Sequence, residues 1–563
     1  MEIPALFRRK YSAEYGFSFF WYFSFFSPEK KEKYIFPKLT SQGETFMKLL
    51  SVVLPIVPGD PETNVTSMIA FMEENPADVY LFPALAVSGV TCGMKFAYRS
   101  FIDACDRALD RLCDYTAEHP VVVVTSTDQI GNLYLKNGEL GKKPEFQAFD
   151  KTFVITANGE GEGDVLLLPT AMAGYPCLSA DVTDLCQKIS AAKNCVVAVA
   201  NPGFGEGVSD GVYQGFCGVY RAGKTVDFAL QSRPTPVSAC YDEETSGEGW
   251  ESTRRAQADL RIPYFGKNDP KKYLGELFNL QIQALYTRIQ SSGMKHLAIN
   301  VSGGLDSTLA LMVASEAMKM ANLPSENIIA MTLPCFGTGK RTYTNAHVLM
   351  EELGVTVFEI DIKEAVTSHL KQIGHDGETA DVTYENAQAR ERAQILFDMA
   401  NRYNALAVGT GDLSEAALGF CTFAGDTLSH YNVNATVPKT LVKALVELLA
   451  KRYGGRLGEA LQDVADTDIS PELKSDQKTE DILGPYLLHD FILYYYAKHR
   501  LEQQELYQYM MATFDEYDED VIVQTLETFF RRFPIARFKR AAMGEGANII
   551  GFSLPYISAD VKF

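Results

Sequence analysis

Residues 296–317 read HLAINVSGGLDSTLALMVASEA, and few folds can accommodate such a stretch. An apolar lead-in makes a short buried strand, SGGLDS turns the chain, and the apolar run that follows makes a helix. A loop placed between strand and helix presents backbone N–H groups at a helix N-terminus, where anions are favoured. Gly303 and Gly304 let the backbone approach a polyphosphate closely, and Ser302 and Ser307 flank Leu305 with hydroxyls. Asp306 narrows the chemistry further. A carboxylate beside phosphates repels them unless a hard cation stands between, so the loop implies a Mg2+–nucleotide site. A Walker A loop is excluded, because GTGK at 337–340 lacks both the spacing and the following Ser or Thr.

The alternation of strand and helix continues beyond the loop. NIIAMTLP, VTVFEIDI and ALAVGT are short apolar runs, each followed by a helical stretch. This pattern predicts an α/β domain over residues 273–563, built on a doubly wound parallel sheet with ligands at the C-terminal strand ends. Residues 47–233 carry a second set of buried strands, in KLLSVVLPIV, DVYLFPALAV, PVVVVTST, KTFVITA, GDVLLLPTA and NCVVAVANPG. An amphipathic helix there has Phe101, Ala104, Ala108 and Leu112 on one side. Residues 234–272 are polar and rich in breakers, and read as a linker draped over both domains.

Residues 1–46 read as a non-core extension. Their aromatic run, Tyr15 to Phe26, is too short to span a bilayer, no small-residue cleavage pattern follows, and Met47 stands as an alternative start directly before the first strand. The 563 residues are 46% hydrophobic, enough for several cores, and the net charge of −20 disfavours non-specific binding to nucleic acid or anionic membrane. Ten cysteines form neither a CxxC pair nor a zinc-type cluster, which fits reduced thiols in a cytoplasmic protein.

SGGLDS resembles the pyrophosphate loop of ATP pyrophosphatases of the adenine-nucleotide α-hydrolase fold. The segments after it, YENAQARERAQILFDMANRYN, ALAVGTGDLSEAALGFCTFAGD, NATVPKTLVKALV and RRFPIARFKRAA, are similar in sequence and order to NAD synthetases of the long, glutamine-dependent kind. That resemblance implies ATP and nicotinic acid adenine dinucleotide as substrates, activated through an adenylate with release of AMP and pyrophosphate. It also implies Mg2+ on Asp306 and Glu415, and Lys439 acting on the phosphates. Thr410 would contact ATP, and Asn386, Arg390, Glu415, Phe420, Thr422 and Lys539 would contact the dinucleotide. GFCTF departs from the family, which has a Trp where Phe420 stands.

By the same resemblance the N-terminal half is a nitrilase-like αββα sandwich whose Glu, Lys and Cys release ammonia from glutamine. The Glu position falls on Ala84 and the Cys position on Ala157, while the lysine loop is shortened around Lys142 and Lys143. An alanine neither takes a proton nor attacks an amide, so a lost glutaminase and the use of ammonia are expected. Two alternatives stay open: a divergent amidase, with Cys177 as the candidate thiol, and a catalytically inactive scaffold paralogue. A homo-oligomer is also implied, an octamer or a smaller assembly.

Overall fold

The structure is a computed structural model and describes residues 46–208, 211–250, 259–337, 339–468, 479–552 and 554. The expected extension up to residue 45 and part of the expected linker, 251–258, lie outside the described residues.

The N-terminal half is two facing sheets with helices outside. Its strands are β1 (Lys48–Val53), β2 (Val79–Leu81), β3 (Val122–Thr127), β4 (Gly131–Lys136), β5 (Glu139–Gly141), β6 (Glu145–Ala148), β7 (Lys151–Ile155) and β8 (Val165–Pro169). They continue as β9 (Val196–Asn201), β10 (Gly207–Val208), β11 (Gly211–Val212), β12 (Phe216–Arg221), β13 (Lys224–Leu230) and β14 (Val237–Asp242). Among the described residues one sheet runs β14-β1-β2-β3-β4-β5 and the other β13-β12-β9-β8-β7-β6. Helices α1 (Pro61–Glu74) and α2 (Arg99–Glu118) cover the first sheet, and α3 (Leu178–Lys193) covers the second.

The two-residue period of a strand explains this layering. In β1, Leu49 and Val53 face the opposing sheet with Phe153, Leu167 and Ala198, while Leu50 and Val52 face α1 and α2 with Val65, Met68 and Leu112. Both faces are covered, so these strands read as unbroken apolar runs. On α2, Phe101, Ala108 and Leu112 are buried as expected, and Ala104 is half-buried.

One expectation is corrected here. Part of the presumed linker, VSACYD, is β14, which pairs antiparallel with all of β1 from Lys48↔Asp242 to Val53↔Val237. Only Ala239 and Tyr241 of this edge strand are buried, so its short alternation between prolines and acidic residues reads as linker.

Helix α4 (Pro270–Ser292) opens the second half, capped by Asp269 and buried along most of its length. The strands β15 (His296–Asn300), β16 (Ile328–Thr332), β17 (Thr356–Glu359), β18 (Ala405–Gly409) and β19 (Tyr431–Asn432) form a parallel sheet in the order β17-β16-β15-β18-β19. Helices α5 (Leu305–Met320), α6 (Lys340–Glu352), α7 (Lys363–Gln372), α8 (Val382–Tyr403), α9 (Leu413–Leu418) and α10 (Lys439–Tyr453) follow or link these strands. Beyond them lie α11 (Gly455–Ala465), α12 (Thr479–Leu483) and α13 (Tyr486–Tyr494). The strand order reverses between β15 and β18. A doubly wound sheet opens a crevice at such a switch point, beyond the strands' C-terminal ends. No helix of the described residues is long and apolar enough to cross a membrane.

Candidate active site

The crevice is a cavity of about 560 Å3. Its floor is the SGGLDS loop after β15 and the GTGD segment after β18. The loop's hydroxyls brace it: Ser302 Oγ accepts from Gly304 N at 3.2 Å, and Ser307 Oγ accepts from Ser302 N and donates to Gly304 O, each at 3.2 Å. Gly303 has φ +83°, and a Cβ there would stand 2.0 Å from the Thr342 carbonyl oxygen on α6, so no other residue fits the turn.

Lys439 is the first residue of α10 and only 2% exposed, yet its ammonium reaches into this floor. Its Nζ donates to Asp306 Oδ2 at 2.6 Å and Glu415 Oε1 at 2.9 Å, and lies 2.6 Å from Asp412 Oδ2. Each carboxylate arrives on a different local device. Asp306 sits in the first turn of α5, Asp412 is the N-cap of α9, and Glu415 lies on α9 with its N–H donating to Asp412 Oδ1 at 2.8 Å. Burial works against the lysine's charge, but the three carboxylates outweigh it and hold its pKa well above the ordinary value. Burial raises Asp412 well above the usual carboxylate range and Glu415 to about 7, against the attraction of Lys439.

The lysine's backbone is also fixed. Its N–H donates to Ser414 Oγ at 2.9 Å, Ser414 donates to Asp490 Oδ1, and Asp490 Oδ2 accepts from Thr440 N at 2.8 Å. Asp490 lies on α13 and burial lifts its pKa to about 6.

Oxygen atoms of Asp306, Asp412 and Glu415 lie within 4.8 Å of one another. Asp306 Oδ1 is buried and has no hydrogen-bond partner among the described residues. A hard-oxygen donor set with an unsatisfied carboxylate oxygen fits a divalent cation such as Mg2+.

Of the residues named from sequence, Ser302, Gly304, Leu305, Asp306, Ser307, Thr410, Glu415, Phe420 and Lys439 line the cavity. Gly303 shapes its floor from behind. Four others stand off the wall. Asn386 is half-buried on α8, and Arg390 is exposed with Nη2 3.4 Å from the Phe423 carbonyl. Thr422 donates to Asp426 Oδ1 from both N (2.9 Å) and Oγ1 (2.6 Å). Lys539 Nζ donates to the carbonyls of Gly419 and Cys421 at 2.8 and 2.6 Å, tying down the GFCTF loop. Sequence reasoning missed Asp412, whose D-x-x-E spacing to Glu415 is a helix-capping signal, and Arg392, which lines the cavity two residues from Arg390.

Residues 277–532 match the NAD synthase family. Over 305 residues the chain is 39% identical to the glutamine-dependent NAD(+) synthetase of Mycobacterium leprae, a match covering 49% of this chain and 45% of that relative. The matched stretch therefore spans less than half of the mycobacterial protein. Against the glutamine-dependent NAD(+) synthetase of Aquifex aeolicus it is 25% identical over 525 residues, 82% of this chain and 91% of the relative. A solved glutamine-dependent NAD(+) synthetase from Cytophaga hutchinsonii has the same fold, with a TM-score of 0.72 over 90% of this chain and 95% of that chain, at 17% identity. The architecture is thus a two-sheet sandwich followed by a parallel-sheet half whose residues 277–532 match the NAD synthase family.

In the sandwich the positions named from sequence look different. Ala84 follows β2, half-buried, with its N–H donating to Thr170 O at 3.1 Å. Ala157 is exposed on the loop 156–164, which joins the parallel neighbours β7 and β8 without a helix. Parallel crossovers normally take about a dozen residues or more, usually with a helix, so this connection is pared to a minimum. Lys142 and Lys143 are exposed after β5. Cys177 is fully buried at φ +68°, and its N–H donates to Glu276 Oε2 on α4 at 2.6 Å.

Proposed function

We propose that the protein is an NAD(+) synthetase that amidates nicotinic acid adenine dinucleotide to NAD+ at the expense of ATP, using ammonia. The observation that carries this reading is the buried Lys439 among Asp306, Asp412 and Glu415 at the floor of the SGGLDS cavity. A nicotinate carboxylate oxygen attacks the α-phosphorus of ATP, a new O–P bond forms, and pyrophosphate leaves. Ammonia then adds to the activated carbonyl carbon and loses a proton, and the tetrahedral adduct collapses to the amide as its C–O bond breaks and AMP departs.

The residues suit these steps. Backbone amides of SGGLDS receive the leaving pyrophosphate at the N-terminus of α5. Lys439, held charged by its carboxylate neighbours, neutralises charge developing on the phosphates in a water-poor setting. Asp306 and Glu415, joined by Asp412, would hold Mg2+, which when bound supplies further charge neutralisation at the phosphates. As the family resemblance implies, Thr410 would contact ATP and Phe420 the dinucleotide from the cavity wall, with Asn386, Arg390, Thr422 and Lys539 meeting the dinucleotide beyond that wall.

Ammonia as the nitrogen donor is supported by Ala84 and Ala157 standing where a base and a thiol are required, and by the buried setting of Cys177 against α4. The test is NAD+ formation by purified protein with Mg2+, ATP and the dinucleotide, once with ammonium and once with glutamine. Turnover with ammonium alone is expected. Equal turnover with glutamine would refute loss of the amidase, and no turnover with either would favour a scaffold role.

A further inference from the structure

Asn434 lies between β19 and α10, is fully buried, and is absorbed by none of the catalytic roles above. Its amide is completely used. Nδ2 donates to the carbonyls of Asp306 at 3.0 Å and Thr410 at 2.9 Å, while Oδ1 accepts from Gln281 Nε2 at 2.9 Å. Two of those partners belong to the loops after β15 and β18 that carry the candidate cation ligands. The third belongs to α4, whose Gln281 also donates to Val433 O at 3.0 Å.

Five residues earlier on α4, about 140° around the helix at 100° per residue, Glu276 faces the sandwich. Its Oε2 accepts from Cys177 N at 2.6 Å and Gln214 Nε2 at 2.9 Å. Gln283 adds a 2.6 Å bond to the Tyr213 carbonyl. Polar contacts made from two faces of α4 thus tie the sandwich on one side and the nucleotide loops on the other to the same helix.

We propose that Asn434 is a positioning residue: it fixes the spacing between Asp306 and the Asp412–Glu415 pair, and through Gln281 and Glu276 it anchors that spacing to the N-terminal sandwich. This deepens the reading of the cavity as a Mg·ATP site and rests on it. A buried amide satisfied at three points is costly to place and holds its partners at one separation. Two carbonyls bridged by one NH2 group cannot drift apart without leaving a buried donor unpaired. The sandwich gains a task that does not depend on glutamine chemistry.

The experiment compares the full chain with Asn434→Ala, Gln281→Leu and Glu276→Ala. Two readouts are taken: hydrogen exchange of individual amides, and the KM values for Mg·ATP and ammonium. Asn434→Ala is expected to raise the Mg·ATP KM about tenfold or more, as misplacing a reacting group by a fraction of an ångström would, with the ammonium KM unchanged. Amides of residues 303–308 and 410–413 should exchange faster while those of β16 do not. Gln281→Leu should shift both readouts the same way by a smaller factor and carries the test if Asn434→Ala does not fold. Glu276→Ala should loosen the same two loops from the far end of α4. A lowered melting temperature with unchanged loop exchange and unchanged Mg·ATP KM would overturn the proposal. Inactivity of the wild type with ammonium and glutamine would instead sink the synthetase reading, and loop exchange would still decide this one.

Discussion

At the C-terminal ends of β15 and β18 a buried lysine is packed among one buried and two half-buried carboxylates, and Asp306 Oδ1 is left unsatisfied. At the ends of β2 and β7 in the sandwich stand Ala84 and Ala157. The sandwich does bury a carboxylate, Glu206, but Val90 N, Thr91 N and Thr91 Oγ1 donate to it at 2.6, 3.1 and 2.7 Å. The two carboxylates differ in what they wait for. Removing a charge from water costs several kcal/mol, so a fold keeps one either fully hydrogen-bonded, as at Glu206, or where a ligand completes it. Glu206 is a clamp on the loop 88–92, whereas the Asp306 cluster keeps a buried carboxylate oxygen unsatisfied, as the proposed cation site requires.

The largest effect that would sharpen this contrast is expected from Lys439→Met. Loss of the ammonium should lower kcat by about a thousandfold, the scale of removing a preorganised electrostatic group. It also strands buried carboxylates, and stability measured by denaturant titration should fall by about 3–5 kcal/mol. Retained turnover would break the account of the cavity floor. Asp412→Asn comes next. Asn still caps α9 through its side-chain oxygen, so stability should change by less than about 1 kcal/mol. The lost charge should lower kcat/KM for Mg·ATP about 10- to 100-fold, read from initial rates across Mg2+ concentrations.

The outline of both halves was legible because both kinds of buried strand advertise themselves as apolar runs, and SGGLDS names its own position between strand and helix. What escaped was polar or short. VSACYD pairs with β1 along an edge and buries only two side chains, so its signal sank into the surrounding breakers. The two-residue β19 gives no period to read. In the site, Asp306, Glu415 and Lys439 were found because each sits in a recognisable motif. Asp412 was overlooked because its cap function and its cluster function share one side chain. Asn434, Gln281 and Glu276 act through tertiary partners on other elements of the chain, which no local pattern announces. Asn386 and Arg390 illustrate the converse: the family resemblance put them at the dinucleotide, but neither lines the cavity that Arg392 lines.

A smaller effect is expected with pH. Burial depresses His489 to about 4, although its Nε2 shares a 2.8 Å hydrogen bond with the Leu483 carbonyl. The ring stays neutral in the fold but takes a proton below about 6.5 when unfolded. Stability should therefore hold above pH 6.5 and decline as pH falls toward 4, by up to about 3 kcal/mol from this group. His489→Gln should flatten that slope in denaturation midpoints taken at pH 7 and pH 5, and an unchanged slope would contradict it. The smallest effect concerns the sandwich. Ala84→Glu combined with Ala157→Cys should gain no glutamine-dependent turnover, because the 156–164 connection lacks a helix and Lys142 and Lys143 face solvent. Appearance of that activity would mean the amidase frame is intact and only its side chains were lost.

The central claim is adenylate chemistry at the Lys439 cavity, and oxygen transfer reports on it directly. Nicotinic acid adenine dinucleotide labelled with 18O in its nicotinate carboxylate would be converted with ATP, Mg2+ and ammonium, and the products analysed by mass spectrometry. One 18O per turnover in AMP is the predicted result, since the attacking carboxylate oxygen leaves on the α-phosphorus. Label in inorganic phosphate with formation of ADP, or AMP free of label, would contradict it.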